Sequence, residues 1–297
     1  MRAVERFLRE GAPVSGAARA LPDPWCGLAM RAGLNFRWRR LRGRVRHNLT
    51  GFRGPLPARA TERLVGDLAA NMAAVVVFAR RHANRPPSMA EVPGGAEALA
   101  AVESGLALGR GLIVVSAHLG CWPLALRVAG RVAPCWLLDA PMRSLAAAPD
   151  PFAPPSPHES LLRQRPDGDA RALTALREQQ IVAVLPDLPQ RGRCGEPAWL
   201  MERQVRVSAA GAILARATRA PVLPLFCAVE EGSPRLWAGA LLAGSPTLQQ
   251  IVAAVEPAIR QRPEHWLGWL YRWAEAERHR RPVARALPRL RSSLSFT

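Results

Sequence analysis

The 297-residue chain is predicted to be an α/β protein, with a mostly parallel central sheet flanked by helices and a helical N-terminal segment. Three observations predict it. Short apolar, β-branched runs recur at Leu112–Val115, Pro134–Leu138, Ile181–Leu185 and Val222–Ala228. Stretches of helical periodicity separate them, with short connections that suit strand–helix–strand crossovers. Hydrophobic residues make up 49% of the chain, enough for one sizeable core.

The elements follow in order. Arg37–Arg46 is densely cationic, with Phe36, Trp38, Leu41 and Val45 interleaved at near-helical spacing. It reads either as a solvated helix with an apolar stripe on the core or as an interfacial helix on anionic lipid. Thr61 can cap a helix running to about His82, with Leu64, Leu68, Met72, Val75, Val76 and Ala79 inward. Asn84-Arg85-Pro86-Pro87 ends that helix and closes a first segment, 1–84, expected to associate with membrane. A helix around Ala96–Leu108 then leads through Gly109-Arg110-Gly111 into the Leu112 strand. Further helices are expected from Trp122 to about Val128, over Ala170–Gln179 and over Ala209–Thr218. Ala147–His158 and the Gln190–Glu196 stretch read as loops, and the α/β domain spans 85–282. Residues 283–297, rich in arginine and serine, read as a loose tail.

All 41 basic residues are arginine, and the formal net charge is +18. Such a surface stays cationic at any pH and matches phosphates and carboxylates in fork geometry. The anionic partners to consider are nucleic acid, acidic phospholipid headgroups and an acidic carrier protein. No nucleic-acid-binding module is legible, which places nucleic acid last. The six histidines and five cysteines show no metal-ligand spacing, so no metal or other cofactor is expected. Cys26, Cys121, Cys135, Cys194 and Cys227 form an odd set without a secretory signal, as expected of reduced thiols in the cytoplasm. The uncharged run Gly111–Leu126 holds only 16 residues and is interrupted by His118, Gly120 and Pro123. That is short of the roughly 20 apolar residues a span requires, so any membrane association is expected to be peripheral.

The most informative residue is His118, delivered to the C-terminal mouth of the Leu112–Val115 strand by Ser116 and Ala117. Ligands bind at that edge of open α/β sheets. A lone histidine there is either a satisfied structural residue or a catalytic base. Cys121, three residues on, is either a thiol nucleophile or a small apolar residue beside Trp122. The serine-hydrolase pattern G-x-S-x-G is absent, and Gly109-Arg110-Gly111 precedes its strand, unlike a dinucleotide-binding turn.

Several blocks in order give these residues a context. Gly111…Ser116-Ala117-His118-Leu119-Gly120-Cys121-Trp122-Pro123 resembles the "G-hydrophobic-S-x-H-x-G-N-W-E/D" strand of the lysophospholipid acyltransferase superfamily. The nearest branch comprises the lauroyl/myristoyl acyltransferases of lipid A biosynthesis and the phosphatidylinositol mannoside acyltransferases. Ile181–Asp187 is similar to its "hydrophobic strand then D-Q" block. Val207–Arg216, continuing through Ala220–Phe226, is similar to its "t-G-x-x-x-L-A…A-P-V-V-P-V-F" block. Pro263-Glu264-His265-Trp266-Leu267-Gly268-Trp269 resembles "P-E-Q-W-x-W", and Arg46-His47-Asn48-Leu49 resembles "R-x-N-L". The resemblance spans about residues 40–275. Pro123 stands where the H-x4-D/E motif has its acid, Met201-Glu202-Arg203 replaces "F-F-G", and Leu270-Tyr271-Arg272-Trp273 replaces "H-R-R-W".

The resemblance implies transfer of a fatty acyl chain from an acyl carrier protein or CoA thioester to a hydroxyl of a membrane glycolipid or lysophospholipid. His118 is then the general base, acting without an acyl-enzyme. With Pro123 in the acid's place, another carboxylate must orient the imidazole. Asp139 and Asp187 both follow apolar strands, and Asp139 is preferred because its strand comes next in sequence. Trp122, Arg143, Asp187, Arg206, Ser208 and Gly211 are assigned to substrate binding. The alternative is a catalytically degenerate homologue that binds lipid or carrier without turnover. The implied location is the cytoplasmic face of the inner membrane, held peripherally on its anionic surface.

Overall fold

The strand nearest His118 is covered on every side. The computed structural model describes residues 42–52, 58–81, 88–138, 159–161, 168–190, 195–230, 233–271 and 273. Its strands are β1 (Leu112–Val115), β2 (Cys135–Leu137), β3 (Glu159–Leu161), β4 (Ile181–Val184), β5 (Glu196–Leu200), β6 (Arg203–Val207), β7 (Val222–Glu230) and β8 (Ser233–Ala238). Six of them form one sheet in the order β3-β2-β4-β1-β7-β8, and β5 and β6 form a separate antiparallel hairpin. The first five in that order run parallel, and β8 returns antiparallel on β7. β1 and β4 are fully buried along their length, which explains why Leu-Ile-Val-Val and Ile-Val-Ala-Val are continuous apolar runs instead of alternating ones.

The helices are α1 (residues 42–52), α2 (Ala58–Arg81), α3 (Gly95–Leu106), α4 (Trp122–Val132), α5 (Gly168–Arg177), α6 (Ala210–Thr218) and α7 (Leu248–Gln261). Strand side chains alternate between the two faces, and the core divides accordingly. Leu112 and Val114 pack with α3 and α4, whereas Ile113 and Val115 pack with α1, α2, α5, α6 and α7. Mixed α/β architecture with a mostly parallel sheet is therefore what forms. The strands β3 and β8, the hairpin β5–β6 and the helix α7 are additions to the expected elements. Thr247 and Gln250 cap α7 reciprocally, and Ile251, Val252, Val255 and Ile259 line its buried side.

The N-terminal helices join the same core. Val45, Leu49 and Phe52 of α1 are buried, as are Val65, Leu68 and Ala69 of α2. The apolar stripe of α1 thus faces the protein over its described part; residues 37–41 lie outside the described residues. Its arginines are engaged: Arg44 Nη1 donates to the Leu270 carbonyl at 3.1 Å, and Arg42 and Arg46 pair with Glu62. Asn48, fully buried, donates from Nδ2 to the carbonyls of Trp269 (2.8 Å) and Tyr271 (2.7 Å), tying α1 to the C-terminal segment. Thr61 does not cap α2. The helix already begins at Ala58, and Thr61 is buried within its first turns. The 147–158 loop and the 283–297 tail lie outside the described residues. Among the described residues no helix is long and apolar enough to cross a membrane.

One feature of this order positions the site. β1 leads into α4 on one face of the sheet, while β4 leads through the hairpin into α6 on the other. The chain therefore leaves adjacent strands toward opposite faces of the sheet, the arrangement beside which open α/β sheets place their sites.

Candidate active site

The site is built from the β1–β4 register outward. Leu112 pairs with Ile181 and Val115 with Val184, and the ladder continues one step as Ser116 N–H donates to the Val184 carbonyl at 3.1 Å. The same offset of 69 residues brings His118 opposite Asp187. His118 Nδ1 lies 2.8 Å from Asp187 Oδ1. His118 N–H donates to Asp187 Oδ2 at 2.7 Å, and Trp266 Nε1–H donates to the same oxygen at 2.8 Å. Both side chains are nearly sealed, His118 being 2% exposed and Asp187 1%. A carboxylate only accepts, so this pairing keeps the imidazole proton on Nδ1 and leaves the ring lone pair on Nε2.

The backbone then turns sharply. Gly120 has φ +50°, and a Cβ there would fall 2.8 Å from Ala228 Cα and 2.9 Å from the Cys227 carbonyl oxygen. Only glycine lets the turn lie this close to β7. The C-terminal segment clamps the turn from the other side: Leu267 N–H donates to the His118 carbonyl (2.9 Å), and Gly120 N–H donates to the His265 carbonyl (3.0 Å). Trp266 sits in a cluster with Trp269, Trp273 and Phe52, ring centroids 4.8–6.0 Å apart. That packing fixes the indole that holds Asp187.

The main-chain donors of the turn are all spent. Besides His118 and Gly120, Leu119 N–H bonds Ala117 O, Cys121 bonds Cys227 O, Trp122 bonds Leu119 O and Leu124 bonds Cys121 O. Pro123 has no N–H to give. The Trp122 ring stands edge-on to the imidazole, with centroids 5.4 Å apart and planes at 61°.

The expected site residues divide clearly. His118, Trp122 and Asp187 come together, with Asp187 in the orienting place on Nδ1 that was expected of Asp139. Asp139 lies outside the described residues, and its strand β2 is separated from β1 by β4, whose own loop carries the carboxylate on His118. Arg143 also lies outside the described residues. Arg206 uses Nη2 on the Gly195 carbonyl. Ser208 Oγ accepts from Ala210 N–H at 3.4 Å, at the start of α6, and a Cβ on Gly211 would stand in ordinary contact with Ile251 Cδ1 (3.5 Å) and Val115 Cγ1 (3.8 Å).

Cys121 is fully buried, and its neighbour Cys227 has its thiol pushed well above the ordinary cysteine value by burial and by the Cys121 thiol. Full burial of Cys121 fits the second of its two readings, a small apolar residue beside Trp122. His265 was missed as a neighbour of the site. Burial and the Arg262 guanidinium lower it from 6.5 to about 4, so it is neutral near pH 7. Trp266 was missed as the second support of Asp187. The only local signal was its place in the Pro263–Trp269 block. Among the described residues, no cluster of three or more His, Cys, Asp or Glu is arranged to hold a metal ion.

No protein-family model matches the chain, and no curated protein matches its sequence. The functional reading therefore stands on the site itself and on the motif resemblance.

Proposed function

We propose that this protein is an O-acyltransferase that moves a fatty acyl chain from an acyl carrier protein or CoA thioester to a hydroxyl of a membrane glycolipid or lysophospholipid. The observation that carries the reading is the buried Asp187–His118 pair, which supplies the orienting carboxylate that Pro123 removes from the motif position. His118 Nε2 takes the proton of the acceptor hydroxyl as its oxygen attacks the thioester carbonyl carbon. Asp187 holds the ring by Nδ1 and stabilises the imidazolium that forms. Collapse of the tetrahedral intermediate breaks the carbon–sulfur bond, and the departing thiolate takes the proton back from Nε2. No acyl-enzyme is needed.

The cationic surface, at net +18, suits an acidic carrier protein and an anionic bilayer. Peripheral docking at the cytoplasmic face of a membrane is part of the proposal. The competing reading, a degenerate homologue that binds without turnover, drew its force from Pro123; the Asp187 contact supports the catalytic reading.

The test is an acyl-transfer assay with acyl carrier protein and CoA donors, a mixed glycolipid and lysolipid extract, and mass-spectrometric readout. New acylated lipid from the wild type that disappears with His118→Ala supports the assignment. Equal turnover by His118→Ala removes His118 as the base. Lipid or carrier binding without product from either protein favours the degenerate homologue.

A further inference from the structure

Acyl transfer needs more than a base, because negative charge gathers on the carbonyl oxygen in the transition state and must meet a hydrogen-bond donor. The nearest source, the main chain of the turn carrying His118, is exhausted: every N–H from His118 to Leu124 is already engaged, and Pro123 has none. A side-chain donor beside the imidazole can take that place.

Trp122 fits that need. It is 7% exposed and lies edge-on at 5.4 Å from the His118 ring. A buried indole N–H normally finds an acceptor. Trp266 donates to Asp187, Trp269 to the Pro263 carbonyl and Trp273 to the Gly268 carbonyl. The Trp122 Nε1–H alone among these buried indoles donates to no described residue. The sealed polar atoms around it include Ser116 Oγ, His118 Nε2 and His265 Nδ1; the Trp122 Nε1–H is not among them.

Resting on the acyl-transfer reading, we infer that Trp122 is a catalytic residue whose indole N–H donates to the thioester carbonyl oxygen and stabilises the oxyanion. As the acceptor oxygen bonds to the carbonyl carbon, the carbonyl π pair moves onto oxygen and is held by Nε1–H, while the acceptor's proton moves to His118 Nε2. When the carbon–sulfur bond breaks, the oxygen's pair re-forms the carbonyl and Nε1–H is released unchanged. The proton passes from Nε2 to the thiolate.

The experiment replaces Trp122 with β-(3-benzothienyl)alanine, which keeps the ring shape and puts sulfur in place of N–H. Trp122→Phe is the second variant. Acyl transfer, thermal melting and the NMR titration of the His118 imidazole are read on each. The inference expects kcat to fall by about 10²-fold in both variants, with KM little changed. The melting curve and the His118 titration should stay as in the wild type. Turnover within threefold of wild type in the isosteric variant overturns it and leaves the acyl-transfer reading intact. A fall in kcat that comes with a displaced His118 titration also overturns it, because Trp122 then acts by packing on the base. A wild type that transfers no acyl chain from either donor overturns both readings together.

Discussion

Replacing Asp187 by asparagine exchanges one carboxylate oxygen for an NH2 group, and the three donors around it dictate the outcome. Oδ2 receives His118 N–H and Trp266 Nε1–H, both obligate donors, so an amide nitrogen there would face two N–H groups. The amide therefore keeps its oxygen at the Oδ2 position and puts Nδ2 at the Oδ1 position, 2.8 Å from His118 Nδ1. Nδ2 can only donate, so Nδ1 must accept and the ring proton moves to Nε2, the atom that has to act as base. All three hydrogen bonds persist, the one to Nδ1 reversed, but they lose their charge assistance, at a cost of about 2 kcal/mol in total. The fold should persist with Tm lowered by roughly 4–8 °C. Catalysis should fall far more, by roughly 10⁴ in kcat, as the equivalent aspartate-to-asparagine change does in serine proteases by inverting the tautomer. Acyl-transfer kinetics, a thermal melt and the ¹⁵N shifts of the His118 ring check the three parts together. A variant with kcat within tenfold of the wild type, or with the proton still on Nδ1, would refute the reasoning.

Two further outcomes follow from the same geometry. Pro123→Glu restores the motif acid, yet Asp187 already orients the imidazole, so turnover should rise by less than about threefold; a gain of tenfold or more would show that Asp187 is an inadequate partner. His265 binds its proton at about 4 when folded and near 6.5 when unfolded, so the unfolded chain takes up a proton first as pH falls. Stability contributed by the neutral ring is complete above pH 6.5 and is lost between pH 6.5 and 4, up to about 3 kcal/mol. Melting curves across that window should be visibly flatter for His265→Gln, and parallel curves for both proteins would rule out His265 as the group responsible.

What could be read locally was read correctly where a pattern is local. The β-branched run at Leu112–Val115 formed a buried strand with His118 at its mouth, and α3, α5 and α6 lie within two residues of their expected bounds. The α4 helix runs four residues beyond the expected end, to Val132, because Leu126, Val128, Ala129 and Gly130 continue its buried side. The hairpin β5–β6 was hidden by composition. Glu196, Pro197, Arg203 and Arg206 dilute its alternation, so Ala198, Leu200, Val205 and Val207 do not stand out as a buried face. The α7 helix carried a legible cap at Thr247 and Gln250, but Pro257 breaks the pattern of a helix former.

The partner of His118 belongs to a different class of question. Strand-end aspartates occur at both Asp139 and Asp187, and nothing local distinguishes them. Sequence order favoured Asp139, whereas the sheet inserts β4 between β2 and β1 and gives the place to Asp187. Trp266 reaches the same carboxylate across 79 residues of chain, through the Leu119–Trp266 bridge that closes the site. The sequence by itself determined β1, β2, β4, β7, the helices α2–α6 and the histidine at the strand end, because hydrophobic periodicity and turn chemistry act over a few residues. Only the tertiary structure decided which acid and which indole meet that histidine, because strand order and register are settled by packing between segments far apart in the chain.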